Sequence, residues 1–256
     1  MRMVNLGCGS RFHPAWINLD INPGGPGVIR HDLTSPLPFE NGGVDVIYHS
    51  HVLEHLPRGL ALAFLRDCFR ALGPGGIMRV VVPDLESIAR AYVRSLEEAL
   101  AGEEGAGARH EWMTIELIDQ LSRHVAGGEM LAHFRKNPMP AEEFVFERMG
   151  GEAREAVSQI RSRPRPGPSL RLENDPARLG AFRLSGECHL WMYDRFSLAR
   201  ILERAGFENV RACRADESAI EGFAAYGLDL EPDMSVRKPD SLFMEAFKPA
   251  AGAQAR

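Results

Sequence analysis

Three groups of residues in this chain have types and spacings that could do chemistry together. The first is VNLGCGS, residues 4–10, where Gly7 and Gly9 follow a short apolar run. Glycine accepts positive φ and has no Cβ, so such a loop lets bare main chain approach a ligand closely. The second is a pair of acids, Asp20 in WINLDI and Asp32 in RHDLTSPLPF, each placed like a strand exit. A carboxylate at the first position can accept both ribose hydroxyl protons. One at the second can accept an adenine amino group, with the Leu33 amide meeting a ring nitrogen. The third is a set of histidines: His51 and His55 with Glu54 beside them, and His189 in GECHLWMYDRF. Histidine titrates near neutrality and is the preferred general base. A helical turn would set His51 and His55, four residues apart, on one face.

These groups need a frame, and the hydrophobic pattern supplies one. Residues 2–6 and 16–21 read as strands, the second from alternating Ile17, Leu19 and Ile21. VDVIYHS, 44–50, reads as a third strand, rich in β-branched and aromatic residues. Ala61, Phe64, Leu65, Cys68, Phe69 and Leu72 recur at helical spacing, and Gly73-Pro74 stops that helix. GIMRVVVPD, 76–84, is a nearly continuous apolar strand, suited to a sheet covered on both faces. A second helix runs from Leu85 with Ile88, Ala89, Tyr92, Val93, Leu96 and Leu100 on one face, and ends at Gly102. Residues 103–108 read as a loop, 109–160 as mostly helical, and the proline-rich 161–176 as a loop. Asp194 caps a further helix with Leu198, Ile201, Leu202 and Ala205 on its apolar face and Gly206 at its end. ENVRACRA and SLFMEAFKP read as the last two strands.

Alternation of strands and helices predicts an α/β fold with a mostly parallel sheet and a helical insertion. The expected organisation is a cofactor-binding core over 1–102, a mostly helical insertion or lid over 103–187, and the C-terminal part of the core over 188–249. Ligands of such sheets bind beyond the carboxyl ends of the strands, where the glycine loop lies. A P-loop would need G-x-x-x-x-G-K-[ST], which the chain does not contain. A dinucleotide fingerprint would need a third glycine, where this chain has Ser10, Arg11 and Phe12.

Composition narrows the partners. The chain has 256 residues, 45% hydrophobic and 25% charged, the balance of an ordinary globular protein. Its formal charge of −5 argues against a general nucleic-acid binder. No apolar run approaches the roughly 20 residues that span a bilayer. MRMVNLG enters a strand without a signal-peptide core, so a cytoplasmic location is expected. Cys8, Cys68, Cys188 and Cys213 form no CxxC pair and read as reduced thiols. His49, His51 and His55, and Cys188 with His189, lack the paired spacing of zinc ligands, so no metal is expected.

In NLGCGS, NLDINP, HDLTSPLPF, VLEHLP and LGPGGIMRVVVPD the chain resembles the class I S-adenosylmethionine-dependent methyltransferases of the methyltransferase type 11 group. The likeness covers residues 1–84 well and 189–248 more loosely, and implies an α/β, Rossmann-like, doubly wound and mostly parallel sheet with an antiparallel final strand and a helical insertion. It implies S-adenosylmethionine as cofactor, with Asn5, Gly7, Cys8, Gly9, Asp20, Ile21, Asp32, Leu33 and Ser50 as contacts, and His51 near the methionine moiety. Two departures stand out. Asn5 occupies a position usually held by an acid. The interval from Gly9 to Asp20 is also too short for a full crossover helix, so RFHPAW is expected to form a turn. The shortened form with HPAWINLD resembles bacterial enzymes of polysaccharide or secondary-metabolite assembly.

The function expected on this basis is methyl transfer to a small polar acceptor, at a hydroxyl of a saccharide or secondary metabolite, with His189 as base and His51 second. Arg161, Arg163, Arg165 and Arg171 could meet an anionic acceptor or simply form a solvated face. Two other readings stay open: a non-methylating S-adenosylmethionine-binding protein or cyclase of the same fold, and a nucleotide-binding dehydrogenase.

Overall fold

The structure is a computed structural model and describes residues 1–162 and 175–252. It divides into two compact units. The first comprises Met1–Pro83, Met192–Ser235 and the segment from Ser241; the second comprises Asp84–Trp191 and Val236–Asp240.

The first unit holds one seven-stranded sheet in the order β3-β2-β1-β4-β5-β7-β6. Its strands are β1 (Met3–Leu6), β2 (Ile17–Asp20), β3 (Val28–Arg30), β4 (Val44–Ser50), β5 (Leu72–Pro83), β6 (Glu208–Cys213) and β7 (Ser241–Phe247). The first five pair in parallel, and β7 runs antiparallel between β5 and β6. The short β3 makes VDVIYHS the fourth strand rather than the third. Three residues at a sheet edge, Val28 half-buried and Ile29 and Arg30 exposed, leave almost no periodic signal.

One face of the sheet is apolar. Val4, Leu6, Leu19, Ile47, Met78, Val80 and Met244 pack beneath α1 (Arg58–Ala71) and α7 (Arg195–Ala205). Helix α1 begins three residues before the apolar repeat and ends at Ala71; Leu72, the last residue of that repeat, starts β5. Helix α7 starts where Asp194 accepts the N–H groups of Phe196 and Ser197, while Ser197 Oγ accepts the Asp194 N–H. It ends on Gly206 with φ 110°, the left-handed cap that glycine adopts readily.

The other face carries a polar row. Asn18, Asn5, Tyr48, Arg79 and Glu245 stand directly opposite one another on successive strands, and all five are buried. No helix joins β1 to β2; residues 7–16 form turns, as the short interval predicts. The polar row shows how so brief a crossover is held. Asn5 Nδ2 donates to the Arg11 carbonyl at 3.1 Å, and Asn18 Nδ2 donates to the carbonyls of His13 and Trp16 at 3.0 and 2.8 Å. Side-chain amides thus satisfy main-chain carbonyls that a helix would have paired internally. Trp16 then packs edge-on against Tyr48, Phe223 and Tyr226.

Arg79 anchors the row. Its guanidinium reaches Asp229 at 2.8 Å, Glu245 at 3.0 Å and the Glu217 carbonyl at 2.9 Å, and lies over the Phe223 ring. Tyr48 Oη donates to Asp229 at 2.6 Å. A buried cation is tolerable only when paired and hydrogen-bonded in this way.

The second unit is helical: α2 (Leu85–Leu100), α3 (Ala106–Ser122), α4 (Gly128–Phe134), α5 (Glu142–Ser162, broken at Gly150) and α6 (Pro176–Arg183). Helix α3 takes up part of the expected 103–108 loop. Pro176, read as loop, opens α6 at a position where its missing N–H costs nothing, with Asp175 as cap. On α2, Ile88 is buried but Val93 and Leu100 are exposed, so its apolar stripe is not wholly covered. Arg161 pairs with Glu142, while Arg163, Arg165 and Arg171 lie outside the described residues.

Candidate active site

The loop after β1 is fastened to β2 twice. Gly7 and Cys8 both donate to the Leu19 carbonyl, at 2.8 and 3.1 Å. Gly9 donates to Asp20 Oδ2 at 2.8 Å, and Asn22 donates to Asp20 Oδ1 at 2.8 Å. Each oxygen of an ionised carboxylate has two lone pairs, so Asp20 holds the loop and still presents acceptor capacity at the strand tip. Gly7 has φ 63° and Gly9 φ 51°, in the region that L side chains rarely adopt. A Cβ on Gly7 would sit 2.4 Å from Val52 Cγ2 and 3.6 Å from Leu33 Cδ1. The exits of β1, β3 and β4 therefore converge on the glycine loop.

Asp32, two residues beyond β3, accepts the Thr34 N–H at 2.9 Å and the Thr34 hydroxyl at 2.8 Å, both at Oδ1. These bonds hold its carboxyl below the usual carboxylate range. Leu33 packs against the apolar core. Ile21, next to Asp20, is about half exposed and offers an apolar surface beside that carboxylate. Cys8 is buried, and burial together with the charge of Asp20 pushes its thiol up to about 11, so it stays protonated. Asn5 lies under the loop with its amide engaged by Arg11 and Asn18.

At the end of β4, Ser50 is half-buried opposite Val81. His51 follows with φ 54° and donates its N–H to the Val81 carbonyl at 2.9 Å. The short 3-10 turn begins only at Leu53, so His51 lies outside it and does not share a helical face with His55. His51 Nδ1 lies 3.3 Å from Oε1 of the fully buried Glu54, and its Nε2 is 2.9 Å from Ser241 Oγ. His49 points to the apolar face against Phe64, and burial drops its imidazole to about 3, which keeps it neutral. His189 belongs to the helical unit, is buried, and donates its N–H to the Gln120 carbonyl at 2.9 Å. Tyr193 is buried in the sheet unit; burial, with the charge of Glu54, pushes its hydroxyl up to about 12.

A family model described as a methyltransferase domain matches residues 7–212, most of the chain. The chain belongs to the methyltransferase-domain family. It carries a class I S-adenosylmethionine-dependent methyltransferase domain, with the strand order and the antiparallel β7 described above. A Mycolicibacterium smegmatis protein described as a probable S-adenosylmethionine-dependent methyltransferase is 39% identical over 56 residues. That match covers 22% of this chain and 21% of that protein's length. Among solved structures, an S-adenosylmethionine-dependent methyltransferase from Archaeoglobus fulgidus aligns over 96% of this chain and 86% of its own, with 12% identity and a TM-score of 0.41. One from Mesorhizobium loti aligns over 96% and 90%, with 16% identity and a TM-score of 0.39.

The residues at the strand tips fit the cofactor of this methyltransferase domain. Gly7 and Gly9 offer main chain without Cβ, Asp20 offers acceptor oxygens at the β2 tip, and Asp32 offers Oδ2 beyond β3. Ser241, which the sequence did not single out, contacts His51, and Val52, the first residue of VLEHLP, faces Gly7. Ser241 lies 190 positions from His51, and no local pattern links them.

Proposed function

We propose that the protein transfers a methyl group from S-adenosylmethionine to a hydroxyl of a small polar acceptor, such as a saccharide or secondary metabolite. The observation that carries this reading is the Asp20 carboxylate. It is held at the tip of β2 by Gly9 and Asn22, beside a glycine whose missing side chain leaves open space. In this reading Asp20 takes the ribose hydroxyls, Asp32 and the Leu33 amide take the adenine edge, and Ile21 covers the ring. Asn5 and Cys8 shape the loop from below, and Ser50 lies near the methionine end. When bound, the cofactor supplies an electrophilic methyl carbon whose bond to sulfur breaks with its electron pair onto sulfur. The protein's part is to align the acceptor oxygen in line with that bond and to remove its proton.

Two histidines are proposed for the proton, His189 and His51. His51 lies at the β4 exit, adjacent to the glycine loop through Val52. The helical stretch 103–187 is proposed to select the acceptor. Incubation with cofactor labelled in the methyl group and a panel of hydroxylated saccharides tests this reading. Label on an acceptor with equal release of S-adenosylhomocysteine is expected. Cofactor binding without transfer to any acceptor would favour the non-methylating alternative.

A further inference from the structure

The surroundings of His51 carry more than its identity as a histidine near a strand tip. Its backbone holds a left-handed torsion, a conformation that strains a residue with a side chain and gathers at functional positions. Its ring is gripped on both sides. Glu54 has no solvent exposure, and its Oε1 faces Nδ1 at 3.3 Å, the range of an ion-pair contact. Ser241 Oγ faces Nε2 at 2.9 Å from the first residue of β7. Ser241 pairs with Pro83 at the exit of β5, so all three groups stand at the carboxyl end of the parallel strands.

We infer that Glu54 and Ser241 are positioning residues that hold His51 as a general base with its Nε2 lone pair turned outward. The inference rests on the methyl-transfer reading above. A carboxylate only accepts hydrogen bonds, so an anion beside Nδ1 favours the tautomer with the proton there. Nε2 then has a lone pair, which the Ser241 hydroxyl satisfies as donor. An acceptor hydroxyl arriving at the β4 exit takes the place of that serine hydroxyl. As its oxygen bonds to the methyl carbon, the O–H bond breaks and the proton passes to Nε2. The imidazolium so formed keeps its counter-charge in Glu54, whose burial strengthens the attraction. The same division of roles, base and orienting carboxylate, recurs on unrelated folds.

Nitrogen-15 NMR of the histidine rings in the full-length protein, at a pH where His51 is neutral, tests this without an acceptor. The expected result is a dominant Nδ1–H tautomer for His51. Glu54→Met, which removes the acceptor, should abolish that dominance, and Ser241→Ala should shift the Nε2 resonance while leaving the Nδ1–H tautomer in place. In both variants the dissociation constant for S-adenosylhomocysteine should stay within threefold of wild type. A dominant Nε2–H tautomer in the wild type would overturn the inference, because the ring would then donate to Ser241 and present no lone pair. So would an Nδ1–H population unmoved by Glu54→Met. If that variant does not fold, the wild-type tautomer decides alone. Failure of the wild type to bind the cofactor product would instead remove the methyl-transfer reading.

Discussion

Asp20 Oδ2 accepts the N–H of Gly9 at 2.8 Å, so a side chain at the end of β2 sets the path of the loop that follows β1. Replacing Asp20 with Ala removes the acceptor for both Gly9 and Asn22. Amide hydrogen exchange at these two positions should lose its protection, and the domain should lose about 1–2 kcal/mol of stability in urea. Asp20→Asn keeps one acceptor oxygen and should protect one of the two amides.

Gly7 couples the loop to β4. Gly7→Ala should destabilise by about 1–2 kcal/mol for the left-handed torsion alone. Overpacking against Val52 should add about 1–3 kcal/mol. Gly7→Ala with Val52→Ala should recover the packing part and leave the torsional part. A double-mutant cycle by chemical denaturation reads this coupling directly.

The buried row on the second face predicts a larger effect. Arg79→Met leaves Asp229 and Glu245 without their common cation, and should cost about 3–5 kcal/mol. Tyr48→Phe removes only the hydroxyl on Asp229 and should cost about 1–3 kcal/mol. Equilibrium unfolding of the two variants gives the ranking.

In the helical unit, burial, reinforced by the charge of Glu116, pushes the Asp240 carboxyl up to about 7. The folded state therefore binds a proton more readily than the unfolded chain, where Asp titrates near 4. The contribution is fully present below the unfolded value and is lost as pH rises towards about 7. Stability should fall across that window by at most about 1.4 kcal/mol per pH unit from this group. Asp240→Asn should flatten the slope in a pH series of thermal melts.

Much of the frame was legible because it follows from periodicity and caps. The strand at 44–50 and the α7 boundaries, with Asp194 and Gly206 at its ends, are local patterns that the structure reproduces. The collapsed crossover was legible from the short interval between Gly9 and Asp20. What the sequence concealed is non-local. Arg79 sits inside an apolar run, and its partners Asp229 and Glu245 are 150 and 166 positions away. The polar row exists only once register aligns five strands. Ser241 is equally silent, since a serine at a strand start has no pattern of its own. His51 illustrates the reverse error. Its spacing to His55 suggests a shared helical face, but a positive φ takes it out of the turn that begins at Leu53.

Calorimetric titration of the full-length protein with S-adenosylhomocysteine, for wild type and Asp20→Ala side by side, tests most directly whether the strand tips form a nucleoside site. One saturable site per chain is predicted for the wild type, weakened in the variant by about 1–3 kcal/mol, the range for stranding buried hydroxyl partners. No binding by the wild type, or equal affinity in both proteins, would contradict the account.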